Sequence, residues 1–158
     1  MRSDTQRRKL RRQAGTVLLF GLAASLAHAA PPRWSVPRDA RIEHLEAGMQ
    51  KGFEDNYMKE HCGDFTLTAE ETLTYLRSAT TITEQEVHDR VDWLPCVVRG
   101  TLVSGKGTQR KEVPFEISAT LAAHVFEPGK PLAYLFCEGA CEAKMNAIIE
   151  KHLRQEQK

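Results

Sequence analysis

The most constraining feature of this 158-residue sequence is an unbroken alternation of side chains between residues 112 and 126. Every second position is apolar: Val113, Phe115, Ile117, Ala119, Leu121, Ala123 and Val125. A period of two places these side chains on one face of an extended chain, which predicts one half-buried antiparallel strand or two strands joined by a bend at 119–120. The intervening positions, among them Glu116, His124 and Phe126, form the opposite face, which we call the mixed face.

Two further strands and four helices complete the predicted fold. Branched and aromatic residues predict strands over 96–104 and 131–137. Apolar residues spaced by three or four predict helices over residues 40–60, 69–79, 84–90 and 141–154, the first with Asp39 as its N-cap. Capping boxes, Thr68-x-x-Glu71 and Thr83-x-x-Glu86, open the second and the third. The valines at 87 and 91 also fit an alternating strand, so 84–94 stays open between helix and strand. The predicted class is α+β, an antiparallel three- to four-stranded meander with N- and C-terminal helices packed on one face, stapled by disulfides.

The first 29 residues have the form of a secretory signal peptide. Six of the first twelve residues are basic, a short apolar run follows, and Ala-His-Ala at 27–29 has small residues at the two positions that a signal peptidase reads. The apolar run is shorter than the roughly 20 residues that span a bilayer, which favours a leader over an anchor. We therefore expect a periplasmic or secreted protein with no integral membrane span after cleavage, although cleavage itself stays open.

Removal of this leader would change the charge of the chain. It takes away six of the 22 basic and one of the 21 acidic residues, so the formal charge falls from +1 to −4 and 129 residues remain. That balance does not suggest binding to nucleic acid or anionic lipid. The length is that of one domain. We place it at 40–154, after an extended lead-in at 30–39 and before a frayed tail at 155–158.

All four cysteines lie in the exported part, at Cys62, Cys96, Cys137 and Cys141. An even number in a small exported chain indicates disulfides, because an oxidising compartment keeps thiols paired. Four cysteines allow three pairings, among which the sequence does not choose. We favour Cys62 with Cys96 and Cys137 with Cys141. The first bond would close a long loop, and the second would fix the exit from a strand into a helix.

The segment around Cys137 and Cys141 also has a functional interpretation. With Met145 and His152 these cysteines form a set of soft ligands of the kind that bind Cu(I), and a thiol pair can exchange disulfides. However, their spacing is one residue longer than C-x-x-C, and Met145 lies on the apolar stripe of the helix at 141–154, where methionine fills a core. We therefore expect a structural bond, no metal and no cofactor. A periplasmic thiol- or copper-handling protein remains the alternative function.

The sequence contains no recognisable catalytic motif. Its five histidines beyond the leader are widely spaced, and none lies in a G-x-S-x-G, H-E-x-x-H or paired-acid motif. We therefore expect a protein that is not an enzyme.

Interaction with another protein is the function that remains. An acidic run within 84–92 precedes Trp93 and is either a solvated helix face or a surface for a basic partner. Trp93 and Phe126 are potential aromatic anchors. We expect a non-catalytic periplasmic binding protein of the inhibitor, immunity or accessory type. Its candidate contact residues are Trp93, Glu116, His124 and Phe126, its partner is another envelope protein, and its oligomeric state is open.

Three stretches resemble a pattern in small exported bacterial proteins that have no assigned activity. They are HCGDF at 61–65, SATTITEQEVHDRVDWLPCVVRG at 78–100 and YLFC at 134–137. The shared features are a cysteine-bearing segment, an aromatic-x-x-Cys-x-x-x-Gly segment and an aromatic-rich strand that ends in cysteine. The resemblance covers about residues 60–141. It implies that the cysteines and Gly100 are structural, and it implies no activity.

Overall fold

The computed structural model describes residues 33–53, 62, 64–92, 94–130 and 132–156; the predicted leader at 1–29 lies outside this part. The described strands are β1 (Arg41–Met49), β2 (Thr80–Ile82), β3 (Cys96–Ser104), β4 (Lys111–Ser118), β5 (Ala122–Val125) and β6 (Ala133–Phe136). The described helices are α1 (Ala69–Ser78), α2 (Glu84–Arg90) and α3 (Ala140–Glu156), with a 3-10 turn at Gly107–Gln109.

All six of these strands belong to one antiparallel sheet with the order β1-β3-β4-β5-β6-β2. The α+β class is therefore confirmed, but the strand count of three to four is wrong. Strands β3 to β6 form the expected meander, and β1 and β2 extend it at its two edges. Of the helices in the described part, none is long and apolar enough to cross a membrane.

The predicted helix over 40–60 is wrong where the structure describes it, because residues 41–49 form β1. The apolar residues Ile42, Leu45 and Met49 have helical spacing, yet all three pack against the core from a strand. Between Glu43 and Glu46 the register to β3 shifts by one residue, and His44 there has a φ of 54°. This β-bulge inserts one residue and thereby puts a spacing of three on the same face of the strand.

Asp39, just before β1, which the sequence analysis takes as the N-cap of the predicted helix, instead holds a turn of the sheet. Asp39 lies in a turn after residues 33–37, which have no regular secondary structure, and its Oδ2 accepts a hydrogen bond of 2.8 Å from the amide of Gly105. Gly105 has a φ of +72°, and a Cβ there would lie 2.4 Å from the carbonyl oxygen of Gln109. The turn between β3 and β4 therefore requires glycine at this position.

Helices α1 and α2 begin as the sequence predicts. The hydroxyls of Thr68 and Thr83 each accept a hydrogen bond of 3.2 Å from the backbone amide three residues further on. In turn, the carboxylates of Glu71 and Glu86 accept hydrogen bonds from the backbone amides of these threonines. These capping boxes satisfy amides that the first helical turn leaves without partners. The segment 84–90 is therefore a helix. The three-residue strand β2 between the two helices was not predicted.

The alternating segment at 112–126 forms two strands, β4 and β5, joined by a turn at residues 119–121. Leu121 in this turn has a φ of 61°. Its carbonyl oxygen accepts hydrogen bonds from the buried Tyr75 hydroxyl at 2.9 Å and from the Cys137 amide at 3.0 Å. The bend thus joins the sheet to α1 and to the end of β6.

The apolar face of the sheet is covered by α1 and α3. The prediction that the N-terminal helix over 40–60 covers it is therefore wrong, because residues 41–49 form an edge strand and α1 packs there instead. Tyr75 and Met145 from these helices pack in one cluster with Phe115, Ile117 and Leu135 of the sheet. Helix α3 ends at Glu156, two residues beyond its predicted end.

Both disulfides have the pairing that the sequence analysis favours. Cys62 bonds Cys96 at the start of β3, with a Cα–Cα distance of 4.6 Å. Cys137 follows β6 and bonds Cys141 in the first turn of α3, with a Cα–Cα distance of 5.2 Å. All four side chains are buried in the core. The second bond therefore fixes the passage from strand to helix.

Candidate functional site: a groove on the mixed face

The strand registers place a row of polar side chains across the mixed face. Each member is paired in register with the next one on the neighbouring strand: Glu46, Arg99, Glu116, His124 and Tyr134. Because alternate residues of a strand share a face, these five positions lie on the side opposite the core. The expected contact residues Glu116 and His124 are thus direct cross-strand neighbours.

Arg99, the second member of this row, connects the three strands β1, β3 and β4. Its Nε donates to Glu116 Oε2 at 3.2 Å, and its terminal nitrogen donates to the Met49 carbonyl at the end of β1. The Arg99 and Glu116 side chains keep 30% and 18% of their accessible area, so this pair is better shielded from solvent than a surface ion pair. It holds the centre of the row in one conformation.

His124 lies at the centre of an aromatic group. Its ring packs edge-on against Tyr134 with centroids 5.3 Å apart, and against Phe126 at 6.3 Å. Edge-to-face contacts at these distances are favourable. Burial, together with the carboxylate of Glu84 that accepts a hydrogen bond from the tyrosine hydroxyl, raises the pKa of Tyr134. The Tyr134 hydroxyl therefore remains protonated and serves as a hydrogen-bond donor.

Two adjoining cavities lie above the row. The smaller, of about 130 Å³, lies between α2 and the sheet and has apolar side chains on its sides: Val87, Val91, Leu94, Val97 and Ala122. The larger, of about 650 Å³, is an open shelf towards β1 and Phe126. Both share Gln50, Glu116 and His124, so they form one continuous depression, which we call the mixed-face groove.

Exposed apolar side chains stand at the two ends of this groove. Leu94 keeps 41% of its accessible area beside the smaller cavity, and Phe126 keeps 46% at the shelf. Single exposed apolar residues are common on protein surfaces. Two of them at the ends of one preformed depression indicate a surface for a partner.

The acidic run reaches the smaller cavity at its last member, Asp92. Glu84, Glu86 and Asp89 are on α2, and Asp92 lines the cavity directly. Hydrogen bonds from the Thr83 amide and hydroxyl hold the pKa of Glu86 below its ordinary value. A hydrogen bond from Gln85 does the same for the pKa of Asp89. The carboxylates of Glu86 and Asp89 therefore stay charged on α2, and Asp92 is the acidic residue that this helix side adds to the cavity lining.

The structure brings together three of the four predicted contact residues. Glu116, His124 and Phe126 line the groove, whereas Trp93 lies outside the described residues, between two groove residues, Asp92 and Leu94. Sequence reasoning missed Arg99 and Tyr134. Arg99 is the one charged residue in the strand CVVRGTLVS, which is a signal, but its partners follow only from the strand register.

The four residues of the alternative copper site do not form one ligand cluster in the structure. Cys137 and Cys141 are joined in their disulfide, Met145 is fully buried in the core, and His152 Nε2 donates to the two carboxylate oxygens of Glu71 at 3.0 and 3.1 Å. The closed disulfide leaves no thiolate for a soft metal. Among the described residues no group of three or more His, Cys, Asp and Glu could hold a metal ion.

Fold and groove define an α+β protein with an antiparallel sheet that is covered by two helices on its apolar face and carries a partly open groove on its other face. The chain matches no known protein family, no curated protein and no solved structure. The resemblance to small exported bacterial proteins therefore remains a prediction.

Proposed function

We propose that this chain is a non-catalytic binding protein of the bacterial envelope, of the inhibitor, immunity or accessory type, which holds another envelope protein in the mixed-face groove. The observation that carries the proposal is the position of Leu94 and Phe126, two exposed apolar side chains at the ends of a preformed depression. Interface energy concentrates in a few such anchors around which neighbouring contacts exclude water.

The polar groups of the groove support recognition rather than catalysis. Arg99 is bound by Glu116 and the Met49 carbonyl, and the Tyr134 hydroxyl is bound by Glu84. Groups that satisfy one another present a fixed pattern of charge and reduce the ordering that binding requires. A catalytic nucleophile instead needs an activating base or a lowered pKa, and the pKa of Tyr134 is raised.

An envelope location has two supports. The first 29 residues have the form of a signal peptide. The two disulfides fit an oxidising compartment, since cytosolic reductants keep most thiols free.

Site-specific photo-cross-linking in the native host tests the proposal. One variant carries a photoreactive phenylalanine analogue in place of Phe126, and a control carries it in place of Leu132, which keeps 36% of its accessible area and lies outside the groove. We expect one envelope protein to be joined at position 126 and not at 132. That protein, once purified, should bind the wild type at least about tenfold more tightly than Phe126→Ala.

Identical products from the two positions, or a purified candidate that binds wild type and Phe126→Ala equally, would contradict the proposal. Circular dichroism and thermal unfolding of each variant establish that the fold is intact.

A further inference from the structure

We infer that the occupant of the mixed-face groove is an extended, positively charged segment of the partner that inserts one leucine-sized side chain between α2 and the sheet. This inference rests on the proposed function and specifies the chemistry of the partner. It is argued from the size of the smaller cavity, from the charges around it and from the shape of the shelf that continues it.

The size of the smaller cavity sets the size of the anchor. Its volume is about 130 Å³, and a protein cavity of about 150 Å³ holds one benzene molecule. A leucine or valine side chain fits this space. Val87 and Val91 supply apolar contacts from the α2 side, and Val97 supplies them from the sheet. Leu94 lines the cavity and is exposed, so an inserted side chain would cover part of that residue as well.

The charges around the cavity favour a basic segment. Asp92 lines the cavity, whereas Glu84, Glu86 and Asp89 lie further along α2. Arg90 is already held by Glu86 at 3.4 Å and by Glu138. Across the groove, Arg99 is neutralised by Glu116. Of the two carboxylates that line the anchor cavity, Glu116 is thus balanced by Arg99 and Asp92 supplies the negative charge, so a cationic partner is the complementary one.

The shelf that continues the cavity accepts extended chain. Its volume of about 650 Å³ opens from Glu116 and His124 towards Phe126 and the exposed Glu46. Glu46 of β1 lines this side of the shelf, and Lys51 lines it beyond the end of β1. A peptide anchored in the cavity can therefore run over the polar row with a cationic side chain opposite Glu46.

A set of synthetic peptides tests the inference on the intact protein. The probe is an acetylated and amidated peptide in which lysine and serine alternate on both sides of one leucine. Companion peptides replace the leucine with glycine, or every lysine with glutamate. Isothermal titration calorimetry at about 50 and about 300 mM NaCl compares them, because added salt screens exposed charges. We expect the leucine peptide to bind at least about tenfold more tightly than the glycine peptide.

Further results are expected from protein variants with matched controls. Leu94→Ala should weaken binding of the leucine peptide at least about fivefold, and Leu132→Ala should leave it unchanged. Asp92→Asn should reduce the salt dependence, and Glu142→Gln on the exposed side of α3 should not. The higher salt concentration should weaken binding to the wild type several-fold, and the glutamate peptide should not bind.

Equal binding of the leucine and glycine peptides would overturn the inference, as would binding of the glutamate peptide. These comparisons use the unaltered protein, so they stand even if a variant fails to fold. If the purified partner binds through Phe126 but none of the peptides bind, the inference fails and the proposed function stands.

Discussion

At the scale of single residues, Gly100 shows how the core constrains the strand that carries Arg99. A Cβ at this position would lie 2.8 Å from the ring of Phe115 and 3.2 Å from Leu45. The ring and the leucine pack across β3 because the glycine leaves room for them. Gly100 is therefore a packing position next to the central cation of the groove, which agrees with the structural role that the sequence resemblance implies for it.

Gly100→Ala should lower the free energy of unfolding by about 1–3 kcal/mol, because overpacking forces neighbours out of their preferred conformations. Gly48→Ala is the control, since a Cβ there meets nothing within 4 Å and the residue lies in the neighbouring strand β1. Urea unfolding followed by circular dichroism measures both. Equal stability of the two variants would contradict the packing role of Gly100.

Individual site residues could be predicted where the sequence period alone decides. Glu116, His124 and Phe126 were found because alternation puts them on one face, whatever strands lie beside them. Arg99 and Tyr134 lie in other strands, and their place in the same row depends on the registers of β3 to β6. Register follows from long-range pairing, which one sequence does not reveal.

At the scale of elements, β1 shows why the spacing of apolar residues predicted a helix where the structure has a strand. The spacings of three and four among Ile42, Leu45 and Met49 are those of a helix, but pairing with β3 decides the structure. The bulge at His44 places Leu45 on the core side without breaking the sheet. Helices α1 and α2 were predictable because their capping boxes are local signals, whereas β2 is too short to show a period.

His44→Gly provides a test of this strand. His44 has a φ of 54°, a region in which a side chain costs about 1–2 kcal/mol and glycine costs nothing. We expect His44→Gly to raise the free energy of unfolding by about 1 kcal/mol. Glu46→Gly, in the regular part of the same strand, should lower it by about 0.5–1 kcal/mol.

The same pair of variants separates the strand from the predicted helix. In a helix both substitutions would destabilise by about 1 kcal/mol, because glycine is a poor helix former. Thermal and urea unfolding of the two proteins therefore give opposite signs for β1 and the same sign for a helix.

Helices α1 and α3 are joined by Glu71 and His152, and this contact should make stability depend on pH. Burial acts to raise the pKa of Glu71, but hydrogen bonds from the Thr68 amide, from His152 and from the Thr68 hydroxyl outweigh it, so the pKa lies below the ordinary value of 4.5. Because the pKa of Glu71 is lower in the folded protein than in the unfolded chain, the ionised carboxylate stabilises the fold at pH values above the unfolded pKa. This stabilisation is lost as the pH falls through the pKa of the folded protein.

We therefore expect the melting temperature of the wild type to fall between about pH 5 and pH 3, and to fall less steeply in Glu71→Gln. Glutamine keeps the shape of the capping box but does not titrate. Glu142→Gln, at an exposed site on α3, should retain the wild-type slope. Equal slopes in wild type and Glu71→Gln would show that this contact does not contribute to acid stability.

At the scale of the whole molecule, the two disulfides differ in what they hold. The Cys62–Cys96 bond spans 34 residues and joins the segment before α1 to the start of β3. The Cys137–Cys141 bond spans four residues at one junction. Their presence could be predicted from the even count in an exported chain, and the favoured pairing agrees with the structure. Which elements the two bonds join could not be predicted, because that depends on the order of the strands in the sheet.

Loop length should separate the two bonds in stability. In the chain-entropy description, closing a loop of 34 residues stabilises by about 4 kcal/mol and closing one of four residues by about 2 kcal/mol. The double variant Cys62→Ala/Cys96→Ala should therefore unfold at a lower urea concentration than Cys137→Ala/Cys141→Ala. All four cysteines are buried, so each double variant leaves similar cavities and serves as the control for the other. If the two variants lose equal stability, or the second loses more, local fixation of the β6–α3 junction matters more than constraint of the unfolded chain.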